Sequence, residues 1–127
     1  MKPIKLKISA FGPYKNEVDI DFNKLGNNGI FLITGDTGAG KTTIFDAICF
    51  ALFGEVSGSN RTVDSLRSDF STLEVKTFVE LEFSHKNKNY KILRHPKYLR
   101  QKKNGIGTTP SIADASLVFG DKVITGF

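Results

Sequence analysis

Residues 35 to 43 read GDTGAGKTT, and their types and spacing suit one chemistry, the holding of a chain of phosphates. Gly35, Gly38 and Gly40 let the main chain curl around anionic oxygens with no Cβ in the way. The spacing Gly35-x-x-x-x-Gly40-Lys41-Thr42 is that of a P-loop. Cofactor binding is therefore expected across Gly35, Asp36, Thr37, Gly38, Ala39, Gly40, Lys41, Thr42 and Thr43. Main-chain amides there point at the anion, and the positive end of the following helix dipole adds to the attraction. Lys41 is the candidate catalytic residue, reaching the β- and γ-phosphates, and the Thr42 hydroxyl is the candidate Mg²⁺ ligand.

Such a cradle needs a strand before it and a helix after it. Ile30 to Ile33 form a short, continuous apolar run, which reads as a strand buried on both faces. After the cradle, Ile44, Ile48, Ala51 and Leu52 recur at helical spacing, and Gly54 is a natural stop. Upstream, Ile4, Leu6, Ile8 and Ala10 alternate with lysines, while Val18, Ile20 and Phe22 alternate with carboxylates. These are two half-buried strands around the turn-rich Gly12 to Asn16. Antiparallel pairing would set lysines against carboxylates, worth a few tenths of a kcal/mol per pair.

Downstream, residues 54 to 71 read as loop, with a short helical turn near Ser65 to Arg67. Alternation from Leu73 to Phe83 predicts one long strand, with Tyr90, Ile92 and Arg94 on its hairpin partner and Pro96 as the interruption. Residues 100 to 110 read as a flexible basic loop, and Ser111 to Phe119 with Lys122 to Thr125 as a last hairpin around Gly120-Asp121. His85 and His95 read as isolated surface residues, and Cys49 as a small buried hydrophobe.

Hydrolysis asks for more than a cradle. No run of four apolar residues ends in an Asp or Glu placed to help hold Mg²⁺, and the Asn-Lys-x-Asp of a base-reading site is absent. The catalytic complement is therefore incomplete within these residues. One further stretch stands out. From Phe83 to Ala113 there is no acidic residue but eight basic ones, from Lys86 to Lys103, with Tyr90 and Tyr98 among them. Arg100, Lys102 and Lys103 are the candidate nucleic-acid contacts, expected to meet phosphates rather than bases. A solvated hairpin whose lysines protect a sheet edge is the plainer alternative.

The bulk composition fits this picture. A chain of 127 residues with 39% hydrophobic content suits one domain with a real core, and a net charge of +5 makes an anionic partner plausible without demanding one. A single cysteine rules out an internal disulfide and favours a reducing compartment. Neither a signal peptide nor an apolar run of roughly 18 residues is present, so a soluble, cytoplasmic protein is expected.

Four stretches together, ISAFGPY, LITGDTGAGKTTIFDAICFALFG, LRSDF and YKILRHPKYLRQKKNGIGTT, resemble the start of bacterial SbcC, an SMC-like relative of the ABC ATPases. That resemblance implies an α/β P-loop NTPase fold of the ABC-head kind. Residues 1–127 would be the N-terminal lobe, with a mixed or antiparallel, β-rich sheet and one main helix after the P-loop. A coiled coil and a catalytic C-terminal lobe would follow. It also implies ATP and Mg²⁺ as cofactors and a second SbcC head as homodimeric partner. The SbcD nuclease would be gated by head closure, and double-stranded DNA ends and hairpins would be the target. By the same resemblance the loop from Arg61 to Asp64 lies near the nucleotide. Distant relatives carry an ATP-binding arginine where this chain has Gly12-Pro13, so no side chain inherits that role. A small P-loop kinase or GTPase, or a non-catalytic DNA-binding module, are the competing readings.

Overall fold

A computed structural model describes residues 1–58 and 61–126. Its centre is a six-stranded sheet made of β1 (Lys2–Ser9), β2 (Val18–Asp21), β3 (Phe78–His85), β4 (Lys88–His95), β7 (Asp114–Phe119) and β8 (Lys122–Thr125). The strand order is β2-β1-β3-β4-β7-β8, and every pairing is antiparallel. A separate two-stranded ribbon joins β5 (Tyr98–Gln101) to β6 (Thr108–Ser111). The one α-helix among the described residues, α1 (Lys41–Phe53), lies on one face of the sheet against β3 and β4.

Period-two patterning decides which face meets the helix. Leu6 pairs with Leu81 and Leu81 with Ile92, so these side chains share one face, and all are buried. Ile8 and Val79 extend that face, and Phe50, Ala47 and Ala51 of α1 close over it, with Phe50 against Phe11 at 5.9 Å between ring centroids. The opposite face is charged. Lys5 reaches Asp19 at 3.6 Å, Lys7 reaches Glu17 at 3.2 Å, and Lys91 sits between Glu80 at 3.0 Å and Glu82 at 3.4 Å. The lysine-against-carboxylate pairing expected between the first two strands is therefore present, along the diagonal of the register, whereas Lys91 meets Glu82 straight across. These hydrogen-bonded pairs hold Lys7 and Lys91 above the ordinary lysine pKa, chiefly through Glu17 and Glu80.

Several expectations need correction. Ile30 to Ile33 do not form a strand, and Ile30 and Leu32 are 88% and 86% exposed. A strand needs partners for its amides and carbonyls, and no other segment among the described residues pairs with this one. The long strand begins at Phe78, not Leu73, because Val75 and neighbours instead turn and offer carbonyls to Arg67. Residues 100 to 110 are not all loop. Arg100 and Gln101 pair with Thr109 and Thr108 in the ribbon, and Ser111 belongs to that ribbon rather than to the last hairpin. The helical turn falls at Val63–Ser65, slightly earlier than expected. His95 is half-buried, its Nδ1 3.2 Å from the Thr77 carbonyl and its ring against Phe78. Cys49 is a free, half-buried thiol.

Candidate nucleotide site

The cradle rests on the turn that follows β1. Ala10 and Gly12 take left-handed backbone conformations there, with φ of 47° and 56°. Gly12 is required twice over, since a Cβ on it would lie 2.7 Å from Thr43 Cγ2. Tyr14 stands beside it and donates its hydroxyl to the Gly40 carbonyl at 3.1 Å. Burial pushes that phenol above its ordinary pKa. Gly40 is constrained in turn, because a Cβ there would meet the Tyr14 ring at 2.7 Å and its own φ is 97°. The FGPY segment is thus the wall against which the cradle is built.

Gly40 caps the N-terminus of α1 from the left-handed region, with no side-chain hydrogen bond to the first-turn amides and no acidic residue in that turn. Most helices satisfy those amides with Ser, Thr, Asp or Asn. Here the capping position is a glycine, and the first turn borders a cleft of about 360 Å³ lined by Pro13, Thr37, Gly38, Gly40, Lys41, Thr42, Thr43 and Arg61. No carboxylate lines it among the described residues. Lys41 folds back over the loop and donates to the carbonyls of Gly35 and Asp36, each at 2.6 Å. The Asp36 carbonyl also accepts from the Ala39 amide at 3.1 Å, which closes the loop into a turn. Thr42 is exposed at the mouth while Thr43 is buried beneath Gly12. Glycines with room for an anion, uncapped helix amides, an ammonium and an exposed hydroxyl form a donor set that fits a nucleotide phosphate with Mg²⁺. Among the described residues, no group of three or more His, Cys, Asp or Glu is placed to hold a metal by itself.

Two side chains that the sequence reading did not single out shape this end of the molecule. Asp46, three residues beyond Thr43, is fully buried and receives Arg61 Nη1 at 2.8 Å. Its other oxygen accepts from the Ser57 amide at 3.2 Å and from the Ser57 hydroxyl. The signal was present, since Asp46 is the only acid in α1 and is flanked there by apolar residues. Arg67 donates to the carbonyls of Val75 at 2.9 Å and Thr72 at 2.7 Å and to the Thr77 hydroxyl, and its guanidinium lies 4.7 Å from the Tyr98 ring centroid. That contact seats the ribbon against the core.

The expected nucleic-acid contacts are split. Arg100 and Lys103 line a groove of about 450 Å³ with Lys76, His95, Tyr98, Glu74 and Asp114, whereas Lys102 is exposed in the ribbon loop and uses its amide on the Gly107 carbonyl at 3.1 Å. The groove is mixed in charge rather than purely basic.

An α/β unit with a phosphate-type cradle at the mouth of its helix is what this geometry defines, and residues 5–117 match the family model described as an AAA domain. The chain belongs to that family. At closer range it is similar to the SbcC component of the SbcCD nuclease from several bacteria. It is 48% identical to the SbcC of Vibrio cholerae over 118 residues, 93% of this chain and 12% of the relative. Against that of Lactococcus lactis it is 46% identical over 123 residues, 97% of this chain and 12% of the relative. The Staphylococcus saprophyticus relative is 50% identical over 101 residues, 80% of this chain and 10% of the relative. The chain thus spans about a tenth of the length of these relatives. The resemblance to SbcC read from four sequence stretches agrees with these matches. None of the described helices is long and apolar enough to cross a membrane.

Proposed function

We propose that this chain, residues 1–127, is the N-terminal, nucleotide-binding lobe of an SbcC-type ATPase head. The observation that carries the reading is the uncapped N-terminus of α1, with Gly40 in the left-handed region and Lys41 folded over the loop beside the exposed Thr42. Gly35 to Thr43 would wrap the phosphates of ATP, Lys41 would neutralise charge on the outer two, and Thr42 would hold Mg²⁺. Bound Mg²⁺ would supply charge neutralisation on the phosphates. This chain's part is to bind and orient.

The described cleft has no carboxylate of its own, so hydrolysis would be completed by residues of a second lobe and a second head. Ile30, Leu32, Phe45 and Phe53 are exposed apolar side chains of the kind that a second lobe would cover. The relatives are named as components of a nuclease. Closing of paired heads on ATP would then gate the SbcD partner acting on double-stranded DNA ends and hairpins in the cytoplasm. Arg100, Lys102 and Lys103 would add phosphate contacts from the ribbon.

The test is calorimetric titration of the full-length protein with ATP and Mg²⁺, alongside Lys41→Ala. Saturable binding that Lys41→Ala abolishes is expected. No binding by either protein, or equal binding by both, refutes the reading.

A further inference from the structure

Asp46 sits at the centre of an unusual arrangement. It is 0% exposed, lies on the helix that carries the cradle, and faces a loop rather than a second helix or strand. It lies three positions after Thr43, so the two share one helical face. Arg61 Nη1 spans both, at 2.8 Å from Asp46 Oδ2 and 3.5 Å from Thr43 Oγ1. Ser57 occupies Oδ1 through its amide and hydroxyl. Ser57 and Arg61 are therefore clamped to one buried carboxylate.

The clamp gives the pair a direction. Its negative end is buried, while the Arg61 side chain is 48% exposed and forms part of the cleft wall with Lys41, Thr42 and Thr43. A buried ion pair is often no more stabilising than apolar side chains of the same volume, so stability alone does not call for it. A guanidinium held in place is another matter. Its planar fork matches phosphate oxygens, and holding it beforehand removes the ordering cost from binding.

We infer that Asp46 is a positioning residue that holds Arg61 as a second cation of the phosphate site, favouring nucleotides with a long phosphate chain over monophosphates. This deepens the nucleotide reading and rests on it. Lys41 and Arg61 both line the cleft, and each would neutralise phosphate charge there.

The experiment is displacement of a fluorescent ATP analogue from the full-length protein by ATP, ADP and AMP with Mg²⁺, together with the thermal midpoint of each variant. Arg61→Ala is expected to weaken ATP by roughly 10- to 100-fold, the range of one charge-assisted hydrogen bond, and AMP by less than about 3-fold. Asp46→Asn is expected to reproduce much of the ATP loss, and Arg61→Ala/Asp46→Asn to bind no worse than Arg61→Ala alone. Asp46 acting only on the fold would weaken ATP equally with or without Arg61, and that result overturns the inference. So does an Arg61→Ala protein with wild-type ATP affinity. Should Asp46→Asn fail to fold, Arg61→Lys carries the test from the exposed end. It keeps the charge and loses the fork, so a several-fold ATP loss with AMP unchanged supports the inference, and wild-type behaviour of both Arg61 variants sinks it. The two readings separate on Lys41→Ala. Wild-type protein that binds ATP while Lys41→Ala does not leaves the nucleotide reading standing whatever Arg61 does.

Discussion

Replacing Gly12 by alanine tests whether the turn after β1 is the wall of the cradle. Two costs combine at this position. The residue has a φ of 56°, where a Cβ costs about 1–2 kcal/mol. The added atom would also lie 2.7 Å from Thr43 Cγ2, too close for any contact, and Thr43 is buried in the first turn of α1. Relieving such an overlap in a packed region costs roughly 1–3 kcal/mol. The matched control is Gly38→Ala, where φ is 86° and nothing lies within 4 Å of the new atom. That variant carries the conformational cost alone. Urea unfolding of the chain, followed by circular dichroism, should therefore separate the two by about 1–3 kcal/mol, with Gly12→Ala the less stable. With a slope of about 1–3 kcal/mol per molar urea, the midpoints should differ by roughly 1 M. Equal midpoints would mean that Thr43 yields without cost, and the account of Gly12 as a required close approach would be wrong. A second readout follows from the same contact. Gly12→Ala should slow or weaken ATP capture by shifting Thr43, although no atom of residue 12 is assigned to the ligand.

Three other outcomes are expected. Lys7 and Lys91, raised by their carboxylate partners, and Tyr14, raised by burial, all bind their protons more tightly in the folded chain than in the unfolded one. Their contribution is complete below the ordinary values of 10.0 for Tyr and 10.5 for Lys and is lost as pH rises through the folded values. Urea midpoints should hold steady from about pH 8 to 9.5 and fall above 10, and Tyr14→Phe should flatten part of that fall. Leu32→Ser changes a residue 86% exposed here, so this chain's stability should move by no more than about 0.5 kcal/mol. The same substitution should lower the thermal midpoint of the full-length protein if a second lobe covers the run, and no change there would argue against that packing. Neutralising Arg100, Lys102 and Lys103 together in the full-length protein should weaken duplex DNA binding and reduce its salt slope, as fewer phosphates are met. Unchanged affinity and slope would leave the ribbon a structural element only.

Local chemistry was legible without coordinates wherever neighbours in sequence do the work. The glycine spacing of the cradle, the stop at Gly54, whose amide caps Phe50 at 2.9 Å, and the hairpin between β7 and β8 all follow from residues a few positions apart. The alternation in β1 and β3 also foretold which side chains face the helix, because strand periodicity is a local property. What distant segments control was not legible. Ile30 to Ile33 carry strand-forming side chains, yet they stay unpaired because a strand exists only with a partner, and none among the described residues reaches them. The acid-free stretch looked like one basic surface, but antiparallel pairing divides it between β4 and the ribbon and brings Glu74 and Asp114 into the same groove as Arg100 and Lys103. Asp46 and Arg61 are fifteen residues apart, and only the return of the loop over α1 makes them a pair. Spacing along the chain was enough to place a Gly-rich loop at the start of a helix. The walls of that site came from the tertiary fold, because burial and ion pairing depend on which remote residues share a neighbourhood, and spacing does not record that.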